Sequence, residues 1–465
     1  MRTVTIIFKS LYACQHQCGF CHVLHVPRNT SYMSTEDVKA TFDVMERKYE
    51  GCRVDLDMSG GEFSMRKDAV ELIEYLRTKR IHFSSLVLDT MAVPLAKEEL
   101  ARALGRLFTK ANVSIHAADP GVHAQVSASK TDFEDLRAGL VNLFRYFPAV
   151  FTNTSINNFN YDRLTDIAKF VLKARRDAGS ETPLYCSYYL PVYRHYGESQ
   201  KENHRRLQDV DNTQFLPPGG RLDDVAAEFE RTRSLLAMHG AVAQLRDFNY
   251  PACVYRRVTG TYPENSYGLP NFMNEAYFTD YNHPMDHGYT LEEVYPSMYG
   301  RVKDAACASC VAEPICPGIT AEWRKQGYDV APVDEAEYAA AFPVQLLNKT
   351  LQSVVFDPIR LSALIDSAVD WGAVRAALIG RLSGDARDIR AVRDRVLSFS
   401  PADRARALIG VLRGHGGDGA AVAAALDAEL AQLEAIEREA RGAASAAREP
   451  EPRASKNRRL PLLAT

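Results

Sequence analysis

Three cysteines near the amino terminus constrain this chain more than any other feature. They stand at spacings of four and three residues in the run Cys14-Gln15-His16-Gln17-Cys18-Gly19-Phe20-Cys21. Thiolates so spaced can converge on one iron–sulfur cluster, and a complete cubane takes four protein ligands. Three ligands leave one iron open, and an open coordination position lets a metal centre bind and activate a reactant. The run itself leaves two alternatives, which are inert buried thiols and a zinc site completed by His16, His22 or His25.

The same run resembles the Cys-x3-Cys-x-aromatic-Cys motif of the radical SAM superfamily, with Phe20 at the aromatic position. The resemblance implies a [4Fe–4S] cluster on Cys14, Cys18 and Cys21, whose open iron chelates the amino and carboxylate groups of S-adenosylmethionine. It also implies an electron donor such as flavodoxin or ferredoxin. The electron splits the sulfonium into methionine and a 5′-deoxyadenosyl radical, which abstracts hydrogen from a substrate.

Strand-like and helix-like patterns alternate through the first half of the chain. Predicted strands cover residues 3–9, 54–58, 85–88, 112–116, 150–156 and 184–192, and predicted helices cover 95–107, 133–147 and 161–175 among others. Such alternation favours right-handed crossovers and a parallel sheet, so the expected fold class is α/β. Six units suit the partial (β/α)6 barrel that the resemblance implies.

The chain divides into four predicted segments. Residues 1–240 are expected to form the barrel, with a surface insertion at 193–220. Residues 241–345 are expected to form a small auxiliary-cluster domain, and the window 241–340 holds fourteen Asp and Glu against seven Lys and Arg. Residues 346–442 have a helical, Ala- and Arg-rich pattern. Residues 443–465 lack periodicity and are predicted to be disordered.

A second motif, Gly60-Gly61-Glu62, directly follows the second predicted strand. Barrel active sites gather at the carboxyl ends of strands, and glycines there let the backbone approach a ligand closely. In the family that the chain resembles, the matching Gly-Gly-Glu contacts the amino group of S-adenosylmethionine, so these three residues are expected to bind the cofactor. An ordinary turn is the alternative. By the same resemblance, further cofactor contacts are expected from Phe20, Ser114, His116 and Asn153.

Cys307, Cys310 and Cys316 form a second group with the spacing Cys-x2-Cys-x5-Cys. The group resembles the core of the SPASM and twitch cluster domains of this superfamily, in which an earlier cysteine often supplies the first ligand. Cys253 takes that place here. Four thiolates satisfy one auxiliary [4Fe–4S] cluster, whereas a full SPASM domain needs about seven cysteines, so one cluster of twitch type is expected. Zinc in the same thiolates is the alternative.

Two further cysteines, Cys52 and Cys186, stand outside both groups. Cys52 is expected to pack between a helix and the second strand. Cys186 lies on the sixth predicted strand, and a thiol facing the barrel lumen there could donate a hydrogen atom to a substrate radical. A buried inert thiol is the alternative for Cys186.

Composition limits the classes of protein that the chain can belong to. A net charge of −3 gives no case for nucleic acid, and no apolar run reaches membrane-spanning length. The amino terminus lacks a secretory pattern. Nine cysteines in 465 residues then favour metal or redox chemistry in a reducing cytoplasm over disulfides.

The expected substrate is a small polar metabolite of aminosugar or aminocyclitol type, undergoing dehydration, deoxygenation, dehydrogenation or epimerisation. Two observations favour it: the first strand begins at Thr3, so no leader-binding module is expected before the barrel, and an acidic cluster domain suits a cationic substrate. The alternative is maturation of a ribosomally made precursor peptide, recruited by a separate protein or by the region after residue 346. That region could instead dock a partner reductase. A non-catalytic scaffold would retain the cluster sites but make no 5′-deoxyadenosine.

Overall fold

Eight parallel strands form the central sheet in a computed structural model that describes residues 3–16, 18, 20–21, 32–50, 52–129, 132–190, 217–245, 251–260, 275–279, 301–313, 316, 318–352, 354–355, 364 and 367–446. The strands are β1 (Thr3–Lys9), β2 (Arg53–Ser59), β3 (His82–Thr90), β4 (Lys110–Ser114), β5 (Val150–Ser155), β6 (Leu184–Tyr189), β7 (Val242–Leu245) and β8 (Glu275–Thr279). Their order is β7-β6-β5-β4-β3-β2-β1-β8, and every neighbouring pair is parallel. The expected α/β fold with a parallel sheet is confirmed.

The sheet has two strands more than the six that the sequence pattern predicts, one at each edge. β7 is only four residues long and extends the sheet beyond β6, while β8 pairs with β1. A strand of four residues gives too few alternations to be distinguished from a loop in the sequence.

Helices connect the strands and pack against one face of the sheet. They are α1 (Thr35–Lys48), α2 (Ala69–Arg77), α3 (Glu98–Gly105), α4 (Pro120–Ser127), α5 (Phe133–Tyr146), α6 (Leu164–Asp177), α7 (Leu222–Met238) and α8 (Ala252–Thr259). Helix α1 illustrates why the sequence forms helices here. The Ser34 hydroxyl caps its amino terminus by accepting from the Asp37 N–H at 3.1 Å, and Val38, Phe42 and Met45 form its buried apolar stripe.

One predicted helix is interrupted in the structure. The pattern over residues 95–107 resolves into a 3-10 turn, Val93–Ala96, followed by the shorter helix α3. Lys97 between them has an extended backbone, with φ −73° and ψ 101°, so the two pieces cannot form one continuous helix. Of the predicted insertion at 193–220, residues 193–216 lie outside the described residues.

Alternation along the strands gives the sheet one apolar and one polar face. Leu56 and Met58 on β2 are fully buried against the helices, and Asp57 between them is only half-buried. On β4, Ala111 and Val113 are fully buried while Asn112 is half-buried. Because successive side chains of a strand point to opposite faces, Asp57 and Asn112 lie on the face away from the helices. We call this the inner face of the sheet.

Beyond the sheet, a small antiparallel pair, β9 (Arg301–Val302) with β10 (Ile319–Thr320), precedes a helical region. The helices are α9 (Ala321–Lys325), α10 (Glu335–Gln352), α11 (Trp371–Ser383), α12 (Ile389–Leu397), α13 (Pro401–Gly414) and α14 (Gly417–Ala446). The expected helical carboxyl-terminal region is confirmed. Of the tail predicted to be disordered at 443–465, residues 443–446 belong to helix α14, so the prediction is wrong for these four, and the rest lies outside the described residues. Within the described residues, no helix combines the length and the apolar character that a membrane crossing requires.

Candidate cluster and cofactor site

The first group of cysteines lies where β1 ends, in a segment that we call the cluster loop (residues 10–21). Cys14, Cys18 and Cys21 are all half-buried. The Cys21 N–H donates to the Cys18 carbonyl oxygen at 3.0 Å, which closes a turn between these two ligand candidates. The carboxyl end of a parallel strand is where this class of sheet gathers its active site, so the cysteines occupy the place that the sequence predicts.

Two glycines hold the backbone of the cluster loop against the end of β2. The Gly61 N–H donates to the Leu11 carbonyl and the Glu62 N–H to the Ala13 carbonyl, both at 2.8 Å. A Cβ at Gly61 would lie 2.0 Å from the Ala13 oxygen, and one at Gly60, whose φ is +114°, would lie 2.4 Å from the Leu11 oxygen. Only glycine permits this approach, so the Gly60-Gly61 pair fixes the backbone immediately before Cys14.

The Glu62 carboxylate is fully buried and is occupied by the protein's own donors. Its Oε1 accepts from the backbone N–H and the hydroxyl of Ser64, and its Oε2 accepts from the Thr90 hydroxyl at 3.1 Å and the Met91 N–H at 2.7 Å. Burial raises the pKa of Glu62, and the bonds from Ser64, Met91 and Thr90 act in the opposite direction. A carboxylate has about four acceptor sites, and all are used here. The side chain therefore ties the ends of β2 and β3 together, and the backbone of the motif is what remains for a cofactor contact.

We expect Glu62→Gln to lower the free energy of unfolding by about 1–3 kcal/mol, because the amide turns an NH2 group toward two buried donors, Thr90 and Met91, and leaves them unsatisfied. Denaturant titration measures the loss. Glu71→Gln is the matched control, since this side chain is 59% exposed and its pair with Lys39 is a surface contact. Normal stability combined with weak S-adenosylmethionine binding in Glu62→Gln would instead indicate a direct carboxylate contact with the cofactor.

Phe20 and His116 meet edge to face, with ring centroids 5.0 Å apart at 86°. His116 follows β4, and its Nδ1 accepts from the Ser155 N–H at 3.1 Å. Burial, with the nearby His16 and His123 adding to it, lowers the pKa of His116 to about 3, so the ring is neutral at physiological pH. The contact holds the aromatic position of the motif against the end of β4.

A hydrogen-bonded row of polar side chains crosses the inner face. Asn153 Nδ2 donates to Asn112 Oδ1 and Asn112 Nδ2 donates to Asp89 Oδ1, each at 2.8 Å, so the row links β5, β4 and β3. Asp57, Ser114 and the members of the row are half-buried. Asn153 therefore points into a polar surface beside the site, as the sequence predicts for a residue near a cofactor or substrate, and Ser114 ends β4 at the same edge.

Cys186 lies on the other face of its strand. The thiol is 1% exposed, belongs to the core between sheet and helices, and alternates in step with Tyr188, whose ring contacts Phe229 on α7 at 5.7 Å. Burial raises the pKa of Cys186 to about 12, with a hydrogen bond to Thr152 opposing it. The sequence allowed Cys186 to donate a hydrogen atom to a substrate radical only if its thiol faced the barrel lumen. The thiol instead lies on the helix side of the sheet, so Cys186 is not placed for that role. Cys52 packs at the edge of the same core, as expected.

The second group of cysteines lines one pocket. Cys253 near the start of α8, Cys307 and Cys310 around the 3-10 turn Ala305–Ser309, and Cys316 before β10 all border it. Burial raises the pKa of Cys316, and the thiols of Cys310 and Cys307 raise it further. The same combination acts on Cys253, through Cys316 and Cys310. Because all four thiols border the same pocket, the structure brings together the four residues that the sequence grouped.

Backbone N–H groups point at the sulfurs of this pocket. The Val333 N–H donates to Cys310 Sγ at 3.2 Å, and the backbone of Ala331 and of Gly318 hydrogen-bonds to the thiols of Cys253 and Cys316. Hydrogen bonds to sulfur are one means by which proteins tune iron–sulfur clusters.

A single zinc ion would require the cysteine sulfurs of one group to lie close together. Zinc–sulfur bonds of about 2.3 Å in a tetrahedron bring the sulfurs within roughly 3.8 Å of one another. In the described part of the chain, the only three or more His, Cys, Asp or Glu ligand atoms that gather within 4.8 Å of one another belong to His16, His123 and Asp132. Among the described residues, neither group of cysteines is therefore drawn together as a one-ion zinc site.

His123 and Asp132 are the residues that the sequence did not single out. Asp132 immediately precedes α5 and receives both imidazoles: His16 Nε2 lies 2.9 Å from Oδ2, and His123 Nε2 lies 2.7 Å from Oδ1. His16 and Asp132 are 116 residues apart, and no local motif links residues at that separation.

A protein-family model matches part of this chain. Residues 9–171 match the model of the radical SAM superfamily, so this part of the chain is a radical SAM domain. The match includes the cluster loop, the Gly60-Gly61-Glu62 motif and strands β2 to β5.

Individual relatives are distant. A curated protein of Methanocaldococcus jannaschii, named "Probable GTP 3′,8-cyclase", is 26% identical over 178 residues, which are 36% of this chain and 53% of that protein. The chain thus spans about half the length of this relative. Among solved structures, native anSMEcpe with bound AdoMet and Cp18Cys peptide shares 14% identity at a TM-score of 0.46, over 75% of this chain and 98% of that chain. SuiB of Streptococcus suis bound to S-adenosylmethionine shares 14% at 0.44, over 68% and 73%.

Proposed function

We propose that this protein is a radical SAM enzyme that abstracts hydrogen from a small polar substrate of aminosugar or aminocyclitol type. The observation that carries the proposal is the cluster loop: three half-buried cysteines at the carboxyl end of β1, inside the segment that matches the radical SAM model. When bound, a [4Fe–4S] cluster and S-adenosylmethionine supply a 5′-deoxyadenosyl radical. Cys14, Cys18 and Cys21 would hold the cluster, and the Gly60-Gly61 backbone keeps them in place.

The polar inner face supports the choice of substrate. Asp89, Asn112 and Asn153 are bonded to one another and half-buried, so they offer a pre-organised set of donors and acceptors rather than an apolar groove. The carboxylates of Asp57 and Asp89 make that face suitable for a hydroxylated, cationic molecule. Dehydration, deoxygenation, dehydrogenation and epimerisation of such a molecule can all begin with the loss of one carbon-bound hydrogen. The name of the curated relative from Methanocaldococcus jannaschii also refers to a small polar molecule, GTP.

We infer further that Cys253, Cys307, Cys310 and Cys316 hold one auxiliary [4Fe–4S] cluster of twitch type. The convergence of the four thiols on one pocket and the N–H groups directed at sulfur support it. Complete ligation by four thiolates suits a cluster that exchanges an electron with the substrate radical. Flavodoxin or ferredoxin is the expected electron source, and the reducing cytoplasm is the expected compartment.

The test is anaerobic turnover of the reduced, reconstituted protein with deuterium-labelled aminosugars and aminocyclitols. Deuterium that appears in 5′-deoxyadenosine identifies the substrate class and the carbon attacked. Absence of 5′-deoxyadenosine under all conditions would contradict the enzyme and favour a non-catalytic scaffold.

A second arm separates the alternative substrate class, a ribosomally made precursor peptide. Peptides encoded beside the gene replace the sugars in the same assay. Deuterium transfer from a labelled peptide and none from the sugars would overturn the small-molecule proposal while leaving the radical SAM assignment intact.

A further inference from the structure

The cluster loop is bonded to the body of the protein by a side-chain triad that lies outside both cysteine groups. His16 stands between Cys14 and Cys18, and its ring lies against His123 of α4 with centroids 4.9 Å apart. Both rings bond to the same carboxylate, that of Asp132, at 2.9 and 2.7 Å. The relative exposures of His16, His123 and Asp132 are 5%, 4% and 9%. We call these three residues the His-Asp-His triad.

The direction of the hydrogen bonds follows from the charge of Asp132. Burial alone would raise the pKa of Asp132, but hydrogen bonds from Ser129 and His123 and the nearby His16 lower it overall. An ionised carboxylate only accepts, so each Nε2 carries the hydrogen and donates it. Hydrogen bonds to an ionised acceptor are shorter and stronger than neutral ones, and both are shielded from water here.

The triad is better suited to positioning than to binding a metal of its own. Both Asp132 oxygens already accept from imidazole, and Ser129 supplies a further hydrogen bond. The network is satisfied without an ion. The triad instead connects three parts of the protein. His16 belongs to the cluster loop, His123 belongs to α4, and the Asp132 carboxylate between them directly precedes α5.

We propose that Asp132 is a positioning residue for the cluster: through His16 and His123 it fixes the orientation of the cluster loop between Cys14 and Cys18. The inference rests on the proposed function, since it concerns the loop that would hold the cluster. Outer residues that orient metal ligands typically change metal affinity 10–100-fold when they are removed. The negative charge also opposes reduction of a nearby cluster, so its loss makes reduction easier.

The experiment compares Asp132→Asn with wild type after anaerobic reconstitution. Two quantities describe the cluster held by Cys14, Cys18 and Cys21: the rate at which a chelator removes its iron, and its midpoint potential. The third is the change in the EPR spectrum of the reduced protein when S-adenosylmethionine is added. That spectral change reports on the open cluster alone, since a fully ligated cluster has no site for the cofactor. We expect about tenfold faster loss of iron, a more positive potential and an altered spectral response.

Glu228→Gln is the matched control. Glu228 is also a buried carboxylate, 4% exposed, and it accepts from the Thr165 N–H at 2.8 Å between α6 and α7. It contributes to packing in the same way, but its partners Thr165 and Arg231 lie outside the cluster loop. We expect its chelation rate, potential and spectrum to equal those of wild type. If Glu228→Gln and Asp132→Asn change these properties equally, the triad has only a general packing role and the proposal is overturned.

A second variant guards against failure of Asp132→Asn to fold. His123→Phe keeps a ring beside Phe133, which His123 contacts at 5.6 Å, and removes only one of the two bonds to Asp132. We expect a smaller change than in Asp132→Asn, about threefold in the rate of iron loss. Behaviour identical to wild type would contradict the proposal.

A double-mutant cycle tests whether Asp132 acts through His16. In a His16→Ala background, Asp132→Asn should have little further effect on the rate of iron loss, because the connection is already broken. The shift in potential should persist in that background, since it follows from the lost negative charge. Full additivity in the rate of iron loss would overturn the proposal. So would one extra zinc or iron ion per chain that disappears in Asp132→Asn, since the triad would then be a metal site. A wild-type protein without any cluster that responds to S-adenosylmethionine would refute the proposed function itself, whereas an unchanged Asp132→Asn with a responsive wild type refutes this inference alone.

Discussion

A Cys14→Ala variant will make no detectable 5′-deoxyadenosine, and its iron content after reconstitution will fall from about eight atoms per chain to about four. The reason is that the cluster loop offers three thiolates to a cluster that already has one open iron, so losing one leaves the cluster with two ligands. The remaining four iron atoms are those that we expect in the second pocket. Iron and sulfide analysis and chromatography of the nucleoside product measure the outcome.

Cys310→Ala is the complementary variant. It will also lose about four iron atoms, but the EPR response to S-adenosylmethionine and the reductive cleavage of the cofactor will persist, because the cluster loop is untouched. Cys52→Ala and Cys186→Ala are the controls, since both side chains lie in or beside the sheet–helix core and outside both groups. Unchanged iron in both Cys14→Ala and Cys310→Ala, or zinc in place of iron, would refute the ligand assignments.

Gly61→Ala will reduce cofactor cleavage by about 100-fold, although the changed residue contributes no ligand. A Cβ at this position would stand 2.0 Å from the Ala13 carbonyl oxygen, so the backbone next to Cys14 must move by an ångström or more. Displacement of that size in a catalytic constellation is enough to cost two orders of magnitude.

The control for Gly61→Ala is Gly380→Ala, within helix α11, where an added Cβ meets nothing within 4 Å. That variant should keep full activity and gain slightly in stability, because alanine favours a helix over glycine. Cleavage at the wild-type rate in Gly61→Ala would show that the cluster loop does not depend on this contact.

Sequence reasoning found the parts of the site that are encoded locally. The cysteine spacings and the Gly60-Gly61 pair are short-range patterns, and the end of a strand predicts which edge of the sheet they occupy. Glu62 was expected to accept from a ligand, yet its acceptor sites are taken by Ser64, Thr90 and Met91, two of which come from the next strand. Contacts between residues 28 and 29 positions apart leave no signal in the motif itself.

Two other outcomes depended on information that a single sequence lacks. Every residue of β6 from Leu184 to Tyr188 is buried, so the strand shows no polar alternation from which the face occupied by Cys186 could be read. Asp132 is one carboxylate among 59 acidic residues, and only the fold brings it between His16 and His123. Pairings of this kind are set by how α4 and α5 pack, which depends on the whole core.

The helical region has a consequence for the pocket of the second cysteine group. Val311 and Ala312, next to Cys310, share one apolar core with Val374, Leu378 and Leu408 of the carboxyl-terminal helices. The guanidinium of Arg393, itself 4% exposed, donates to the Val311 carbonyl at 2.5 Å. The carboxyl-terminal helices thus support the backbone that follows Cys310, through apolar packing and one buried hydrogen bond. A chain shortened before α11 would lose these contacts, so the position of Cys310 in its pocket depends on helices that supply no thiol.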